Sequence, residues 1–593
     1  MTITGLRRWN YLQVSLLLLL AASLPAAELT LQFNPRWQGA ALAVPSAPLT
    51  NAAGQTLRIT RLAALVSGVT LWRSDGVQVR LEGQQGFLDA ASGRLAVTFT
   101  AVPAGDYRGL EFQLGVPEAV NHGDPGRWPA GHPLNPLVNG LHWGWQGGYV
   151  FLALEGRWRE TADGAAERGF SYHLATDARR MSLRFAANFR VEQATVVALA
   201  LDLSRVLAAG KLVAGDGSET THSAPDDALA ARLATAVERA FFWLEATPGG
   251  SEVMAEAKVA APKRVAVGTP RAFIVPAGFP QPALPADNPL TAEGVILGGR
   301  LFYDPRLSAY GEQSCASCHR PDRAFSDSVA FSRGALGRPG TRNAQPLVNL
   351  AWSPAYAWDG SQPRIRDQSL AAMTNPVEMA ASLPAVVALL AEDGEVTADF
   401  RAAFGTPEVT AERIGLALEQ YLLTQVSADS KLDRALRGEG ELTAAEKRGF
   451  ELFLTEYDPA RGRRGADCFH CHGGPLFSDY AYKNNGLEAV ASDGGRAKVT
   501  GRAWDAGKFK TPSLRNVALT APYMHDGRFA TLEDVVAHYD HGVKRSAGLD
   551  PNLAKHPDEG MALSAADQAA LVAFLKTLTG RAVETSDDRR PEM

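Results

Sequence analysis

The sequence predicts a multidomain chain, with an N-terminal antiparallel β sandwich or barrel followed by a mainly α region. Three observations predict this fold class. The chain has 593 residues, more than one core ordinarily holds, which favours two or three domains. Apolar residues alternate with period two over 28–205 and follow a helical period after about residue 288. A stretch rich in alanine, proline and glycine separates the two patterns.

The first residues predict export from the cytoplasm. Arg7 and Arg8 precede the apolar run "YLQVSLLLLLAASL", which ends in the small residues "PAAE". This pattern is typical of a secretory signal over 1–27, cleaved after Ala26 or Ala27. The alternative is an uncleaved membrane anchor, but the run is too short to span a bilayer comfortably. We therefore expect a periplasmic protein without a membrane span in the mature chain.

The β domain is predicted from three short runs and is assigned residues 28–205. "LTLQF", "GLEFQLGV" and "MSLRF" each place apolar side chains on one face of a strand. Residues 206–287 are assigned to a helix, at 226–245, and a linker.

The helical region is predicted to form two lobes, 288–450 and 451–580, before a tail at 581–593. "AERIGLALEQYLL", "TAAEKRGFELF" and "SAADQAALVAFLKTL" are amphipathic with a helical period. Thr443 and Glu446 form a capping box at the start of the second of these helices.

The bulk composition excludes one class of partner. The formal net charge is −5 and the pI is about 6.2, so the chain lacks the basic footprint of a nucleic-acid-binding protein.

All four cysteines lie in two short motifs, "CASCH" and "CFHCH". An exported chain that spends every cysteine on CxxCH has none left for a disulfide, and CxxCH is the attachment motif of a c-type haem. A single four-cysteine zinc site is the alternative, which the final histidines and the wide separation of the motifs disfavour. The sequence therefore predicts two covalent haems, held by Cys315, Cys318 and His319 and by Cys468, Cys471 and His472. With one haem in each, the two helical lobes are predicted to be cytochrome c-like.

The histidine distribution predicts an open iron site on haem 1. No histidine occurs between His319 and His470, so a second nitrogen ligand for haem 1 is absent nearby. An open iron site binds peroxide, whereas a closed one mainly moves electrons.

Residues 288–580 resemble the bacterial dihaem cytochrome c peroxidases, and more closely their MauG-like branch. The resemblance rests on "LGGRLFYDPRLS", "SCASCHRPDRAFSD", "AWDG", "NPVEMA" and "TPSLRNVALTAPYMHDGRFATLEDVVAHY", in the family's order. It implies that Glu378 is the distal acid–base residue, that Gln368 positions peroxide and that Trp358 relays an electron or hole between the haems. It also implies a calcium site between the haems, formed by Asn343, Thr520 and Pro522.

The distal ligand of haem 2 departs from ordinary peroxidases, which use methionine there. The matching residue is Tyr539, as in MauG-like enzymes that share two oxidising equivalents between the haems in a bis-Fe(IV) state. The anionic phenolate favours high-valent iron, so the resemblance favours oxidation of a protein side chain. The alternative ligands are Met524, Met561, His538 and His541.

The stretch "LNPLVNGLHWGWQGGYVFLALEG", with "GVPEAVNHGDP" before it and "FSYHLATD" after it, resembles MbnP-type copper proteins. These are periplasmic partners of the MauG-like enzyme MbnH, in which a tryptophan becomes kynurenine near a copper ion. The resemblance implies Trp143 or Trp145 as the modified residue. It implies copper ligands among His122, His142 and His173, with His132 as a weaker candidate.

The leading hypothesis is thus a dihaem enzyme that uses hydrogen peroxide to oxidise a tryptophan in its own fused, copper-binding domain. Two alternatives remain. One is a conventional peroxidase that receives electrons from a small redox protein such as a cytochrome c. The other is a copper-binding or electron-carrying protein without enzymatic activity.

Overall fold

The computed structural model describes residues 26–143, 148–161, 167–248 and 267–580. The predicted signal up to residue 25, Trp145 and the tail at 581–593 lie outside these described residues. Among the described residues, no helix combines the length and apolar character needed to cross a bilayer.

The N-terminal part is a two-sheet β domain, which we define as 26–248. One sheet has the strand order β16-β14-β1-β2, with β7 also on β1; the other has the order β12-β8-β4-β10-β11-β15, with shorter strands on β4, β8 and β10. The described strands are β1 (Ala26–Trp37), β2 (Ala40–Ala41), β3 (Leu49–Thr50), β4 (Thr56–Arg73), β5 (Gln78–Arg80), β6 (Gly86–Asp89), β7 (Ala96–Pro103), β8 (Gly105–Leu114), β9 (His142–Trp143), β10 (Gly148–Arg159), β11 (Arg168–Ala175), β12 (Met181–Phe185), β13 (Phe189–Val191), β14 (Ala194–Asp202), β15 (Thr220–Thr221) and β16 (Phe241–Pro248).

The period-two runs of the sequence form strands whose apolar faces meet in one core. Leu29, Leu31 and Phe33 of β1 are buried, and the Phe33 ring lies 5.7 Å from that of Phe112 on β8. Most strand pairs are antiparallel, as predicted. Two are parallel, β1 with β14 and β11 with β15, because in each pair the chain crosses over before it returns beside the first strand.

The predicted helix at 226–245 ends earlier than expected. Helix α4 covers Ala228–Ala240, and the chain then becomes strand β16, which pairs with β14. The Phe241 ring packs 6.0 Å from the rings of Phe33 and Phe112. The strand conformation buries the Phe241 ring against the sheet, which favours a strand over continuation of the helix. The β domain therefore extends past residue 205 into the predicted linker.

The remainder, from about residue 288 to 580, is the haem region. It contains two apolar cores, one around each CxxCH motif. Helix Ala411–Leu423 has the predicted bounds, and the helix after Thr443 begins with the predicted capping box. The described helices of the chain are α1 (Glu118–Asn121), α2 (Pro136–Asn139), α3 (Leu203–Val206), α4 (Ala228–Ala240), α5 (Ala292–Phe302), α6 (Ile365–Thr374), α7 (Leu383–Ala391), α8 (Gly394–Phe404), α9 (Ala411–Leu423), α10 (Lys431–Leu436), α11 (Ala444–Leu454), α12 (Ala497–Thr500), α13 (Leu532–Ala537), α14 (Pro551–Ala554) and α15 (Ala565–Lys576).

Strands β10 and β11 pack directly on the second lobe of the haem region, and we call this contact the seam. Gly169 on β11 comes so close to α14 that a Cβ atom there would lie 1.8 Å from the Pro551 carbonyl oxygen. The buried guanidinium of Arg157 donates to the Ser546 and Leu549 carbonyls. The seam is therefore tightly packed and hydrogen-bonded, which fixes the β domain against the second CxxCH motif.

Candidate functional site

The first CxxCH motif opens onto a cavity of about 540 Å³. His319 donates from Nδ1 to the Phe325 carbonyl at 2.8 Å, which orients the imidazole so that Nε2 is the nitrogen to ligate iron. Two free cysteines, an oriented imidazole and a roomy cavity fit a covalently attached haem. The predicted site residues on the cavity wall are Cys315, Cys318, His319, Asn343, Trp358, Gln368 and Glu378.

Glu378 and Gln368 reach this cavity from one local structure. Gln368 lies on α6, and Glu378 follows the turn that begins at the C-cap Asn375. The Asn375 side-chain amide donates to Glu378 Oε1 at 2.7 Å, and burial raises the pKa of Glu378 despite this bond. A carboxyl group with a raised pKa is suited to accept and return a proton near neutral pH.

The second CxxCH motif lines a separate cavity of about 210 Å³. His472 donates from Nδ1 to the Phe477 carbonyl at 3.0 Å, so here too Nε2 is the nitrogen to ligate iron. This arrangement repeats that of the first motif and fits a second haem. The cavity wall includes Cys468, Cys471, His472, Met524, Tyr539 and Met561.

Trp358 lines both cavities and thus lies between the two haem sites. Its indole Nε1 donates to the Asn343 carbonyl at 2.8 Å, which fixes the ring plane. Asn343 also lines both cavities, and Thr520 and Pro522 line the second one. The three residues implied for calcium therefore share one wall, and the oxygen donors they offer are of the kind calcium prefers.

Tyr539 and Met524 both reach the haem 2 cavity, where Asn485 joins them. The Asn485 side-chain amide lies 3.2 Å from Tyr539 Oη and 3.3 Å from Met524 Sδ. Burial raises the pKa of Tyr539 to about 12, so the phenol stays protonated unless a cation such as iron replaces its proton. The Asn485 amide is a donor, which stabilises the phenolate in that case.

The two flanking histidines are directed elsewhere. His538 uses its Nε2 on the Asn485 carbonyl at 3.0 Å. The His541 side chain is 59% exposed and pairs with Asp540. Tyr539, Met524 and Met561 therefore remain the candidate ligands of haem 2, because all three line its cavity.

Tyr539→Phe is expected to change the ligation of haem 2, because it removes the anionic oxygen from the cavity. Electron paramagnetic resonance and visible spectra of the oxidised chain with both haems would report this change. Met524→Leu is the matched control and should leave both spectra unaltered. The opposite pattern, with Met524→Leu changing the haem 2 signals and Tyr539→Phe silent, would contradict ligation by Tyr539.

Trp143 lies at the seam, against the second haem motif. Its ring centroid is 6.1 Å from that of Phe469, the residue directly after Cys468. It also lies 5.8 Å from the His173 ring and 5.6 Å from the His222 ring. Trp143 is half-buried, as is expected for a side chain packed between two domains.

The structure does not bring the predicted copper ligands together. His122 is half-exposed and contacts Asp177 at 2.6 Å, and His142 packs against Tyr149. Within the described residues, three or more potential ligands meet in one group, composed of His173, His222 and His470. Of the predicted ligands only His173 belongs to this group. The other two members were missed, because His222 follows the predicted β domain and His470 lies inside a haem motif.

The electrostatics around this group keep Glu155 charged and keep His173 and His470 neutral. Burial alone would raise the pKa of Glu155, but Arg61 and His173 hold it well below its usual range. Burial lowers the pKa of His173 to about 4 and that of His470 well below its usual range. A neutral imidazole is the form that ligates a metal.

The chain matches two protein families. Residues 292–441 match the family model of di-haem cytochrome c peroxidases, and residues 26–223 match the MbnP family model. The methylamine utilization protein MauG of Methylorubrum extorquens is 39% identical over 298 residues, which cover 50% of this chain and 80% of that protein. The cytochrome c551 peroxidase of Nitrosomonas europaea is 34% identical over 314 residues, which cover 52% of this chain and 86% of that protein.

A solved structure is also similar. A MauG-like protein associated with microbial copper homeostasis shares 34% identity, with a TM-score of 0.49, over 54% of this chain and 98% of that chain.

The chain therefore belongs to the dihaem cytochrome c peroxidase and MauG family, with an MbnP domain at its N-terminal end. It is a peroxide-dependent oxidoreductase with two haems. The predicted family, fold class and enzyme class are confirmed.

Proposed function

We propose that this chain uses hydrogen peroxide to oxidise Trp143 of its own β domain to kynurenine, in the periplasm. One observation carries the proposal. The Trp143 ring lies 6.1 Å from Phe469, which stands between the two cysteines of the second haem motif. A side chain that is oxidised by a hole from haem 2 would need such a position, close to the second haem motif.

The residues around haem 1 supply proton transfer and orientation. The haem, when bound through Cys315 and Cys318, supplies the iron at which peroxide is reduced. Glu378 takes a proton from one peroxide oxygen and gives it to the other, which leaves as water. Asn375 holds one carboxylate oxygen of Glu378 at 2.7 Å, so the other oxygen is left to face the cavity. Gln368 orients the peroxide from the same wall.

Trp358 carries the hole from the first cavity to the second. Its contact with both cavities and its fixed indole, bonded to Asn343, support this role. At the second cavity, Tyr539 accepts a hydrogen bond from Asn485. As a phenolate it would place a negative charge there, which stabilises a hole on haem 2. A calcium ion on Asn343, Thr520 and Pro522 would hold the wall between the cavities in place.

The last step crosses the seam to Trp143. The contacts run from the haem 2 loop through Phe469 to the indole. Opening the indole between its C2 and C3 atoms adds two oxygen atoms and removes four electrons. Two hydrogen peroxide molecules accept the four electrons and four protons and become four waters, while two waters provide the oxygen atoms, for a net release of two waters. Hydrolysis then removes the formyl carbon as formate. Fusion keeps the target beside the oxidant at a high effective concentration.

Peptide mass spectrometry of the full chain with both haems, before and after peroxide, tests the proposal. The expected result is conversion of Trp143 to kynurenine in the wild-type chain and retention of tryptophan in Glu378→Gln. Trp145, in the same peptide but outside the described residues, serves as the internal comparison. Peroxide consumption with Trp143 intact would overturn the proposal.

A second candidate function is conventional peroxide reduction with electrons from a small cytochrome. The observation that favours it is Met524, whose sulfur lies 3.3 Å from the same Asn485 amide that contacts Tyr539. A thioether ligand favours the reduced state of haem 2. Rapid turnover with reduced cytochrome, lost in Met524→Leu and kept in Tyr539→Phe, would establish this second function.

A further inference from the structure

A buried lysine lies on the wall that the two haem cavities share. Lys510 belongs to the short strand Phe509–Lys510 and lines both cavities. The residue is only 5% exposed. Its backbone N–H donates to the Trp358 carbonyl at 2.8 Å. The lysine and the tryptophan between the haem sites are therefore fixed to one another through the backbone.

The ammonium group of Lys510 has neutral partners. Its Nζ donates to the Ala355 carbonyl at 2.6 Å and to the Ser353 hydroxyl at 3.1 Å, which uses two of the three N–H donors of an ammonium. The ring of Tyr356 lies 5.8 Å away. Burial lowers the pKa of Lys510 to about 8, and the more distant charge of Asp359 offsets this only in part. The side chain thus carries a buried charge with one donor to spare.

The other lysines and arginines on the two cavity walls already have carboxylate partners. The pairs are Arg342 with Asp359 and Asp493, Lys498 with Asp493, Arg515 with Asp433, and Lys483 with Asp479. Among the described residues of these walls, Lys510 is the exception. A buried charge without an opposite charge is costly, so this position fits an anion that the polypeptide itself does not supply.

The haem of the first cavity brings such an anion. The propionate side chains of a haem are carboxylates, and attachment through the two cysteines fixes the opposite, vinyl edge of the porphyrin. Ser353 and Tyr356, which lie beside the Lys510 ammonium, line the first cavity. The ammonium is therefore placed on the haem 1 side of the shared wall, where its remaining donor can meet a propionate.

We propose that Lys510 forms an ion pair with a propionate of haem 1 and is a positioning residue between that haem and Trp358. A propionate charge near the iron favours the oxidised state, because opposite charges attract. The ion pair neutralises this charge and so raises the reduction potential of haem 1. The backbone hydrogen bond from Lys510 to Trp358 then holds the tryptophan at the propionate edge of the haem. The ion pair does not depend on oxidation of Trp143.

The test is a redox titration of the full chain with both haems, without peroxide, combined with resonance Raman spectra. The propionate bending bands in those spectra respond to the hydrogen bonds of the carboxylate. In Lys510→Met, the reduction potential of haem 1 should fall and its propionate bands should shift, while haem content and the potential of haem 2 stay unchanged. Lys508→Met is the matched control, because Lys508 precedes the same strand and pairs with Asp505 at 3.1 Å. It should match the wild-type chain in both measurements.

An unchanged potential or unchanged propionate bands of haem 1 in Lys510→Met would overturn the ion pair, as would an equal shift in Lys508→Met. A shift confined to haem 2 would overturn the assignment to haem 1. If Lys510→Met does not fold, Lys510→Gln decides the question. Its amide keeps a hydrogen-bond donor and removes the charge, so the potential of haem 1 should again fall.

The outcomes also separate the ion pair from the proposed function. Trp143→Phe removes the target of oxidation and should leave the potentials and propionate bands of the wild-type chain. If Trp143 stays intact when peroxide is consumed, the proposed function fails, but the effects of Lys510→Met on haem 1 are still expected.

Discussion

Replacing Glu378 by glutamine is expected to slow peroxide consumption by about 10²–10⁴-fold, the usual contribution of a positioned acid–base group. The amide keeps the shape of the side chain and can still bond to Asn375, but it cannot carry a proton between the two peroxide oxygens. Stopped-flow measurement of peroxide loss with the chain carrying both haems gives the rate. Glu312→Gln, at an exposed carboxylate beside the first haem motif, is the control and should leave the rate unchanged.

The pH dependence of the wild-type rate follows from the same residue. Burial raises the pKa of Glu378, and the carboxylate must be ionised to accept the first proton. The rate should therefore fall as the pH is lowered through this raised pKa. The rate of Glu378→Gln should not show this fall at low pH. A rate in Glu378→Gln within a few-fold of the wild type would contradict the assigned role.

Replacing Lys555 by methionine is expected to destabilise the haem region by about 3–5 kcal/mol, the cost of breaking a buried ion pair by removing one partner. The Lys555 side chain is 3% exposed, with Nζ at 2.9 Å from Asp467 and 3.3 Å from Glu456. Without it, the buried carboxylates of Asp467 and Glu456 lose their shared lysine, and the partners that remain include the Tyr457 amide, His556 and the Thr220 hydroxyl. Denaturant unfolding, followed by haem absorbance, measures the loss.

The pH dependence of this loss has a definite sign. In the wild-type chain the pKa values of Asp467 and Glu456 lie below their usual range, with Lys555 among the causes. Carboxylates with depressed pKa values add stability above their unfolded pKa, and this stability is lost as the pH falls. The difference between Lys555→Met and the wild type should therefore be largest near neutral pH and shrink below about pH 4.

Lys211→Met is the matched control for this variant. Lys211 forms an exposed pair with Glu160, with side chains 52% and 55% exposed. Such surface pairs contribute about 0–1 kcal/mol. Equal losses of unfolding free energy in Lys555→Met and Lys211→Met would contradict a stabilising role of the buried ion pairs of Lys555.

The local features of the molecule follow from the sequence, because they depend on neighbouring residues. The two CxxCH motifs define their own haem sites, and Thr443 with Glu446 defines a helix start. The distal residues Glu378 and Gln368 could be predicted because they lie close together in the sequence, in a motif shared with the family. Each of these features lies within one element or one turn of chain.

The seam could not be predicted in this way. His470 meets His173 and His222 across about half of the chain, and no local pattern records that contact. The sequence assigned His470 to the haem motif and left His222 in a linker. The strand Phe241–Pro248 was missed for a related reason, since packing on Phe33 and Phe112 outweighs the helical pattern before it.

The measurement that tests the central claim most directly asks whether a chain oxidises its own Trp143. Unlabelled wild-type chain is mixed with ¹⁵N-labelled Glu378→Gln chain, both with two haems, and peroxide is added. Mass spectrometry of the Trp143 peptide then distinguishes light from heavy product. The account predicts kynurenine in the light peptide alone, at a rate independent of total protein concentration. Equal conversion of the heavy peptide, or intact Trp143 in both, would contradict it.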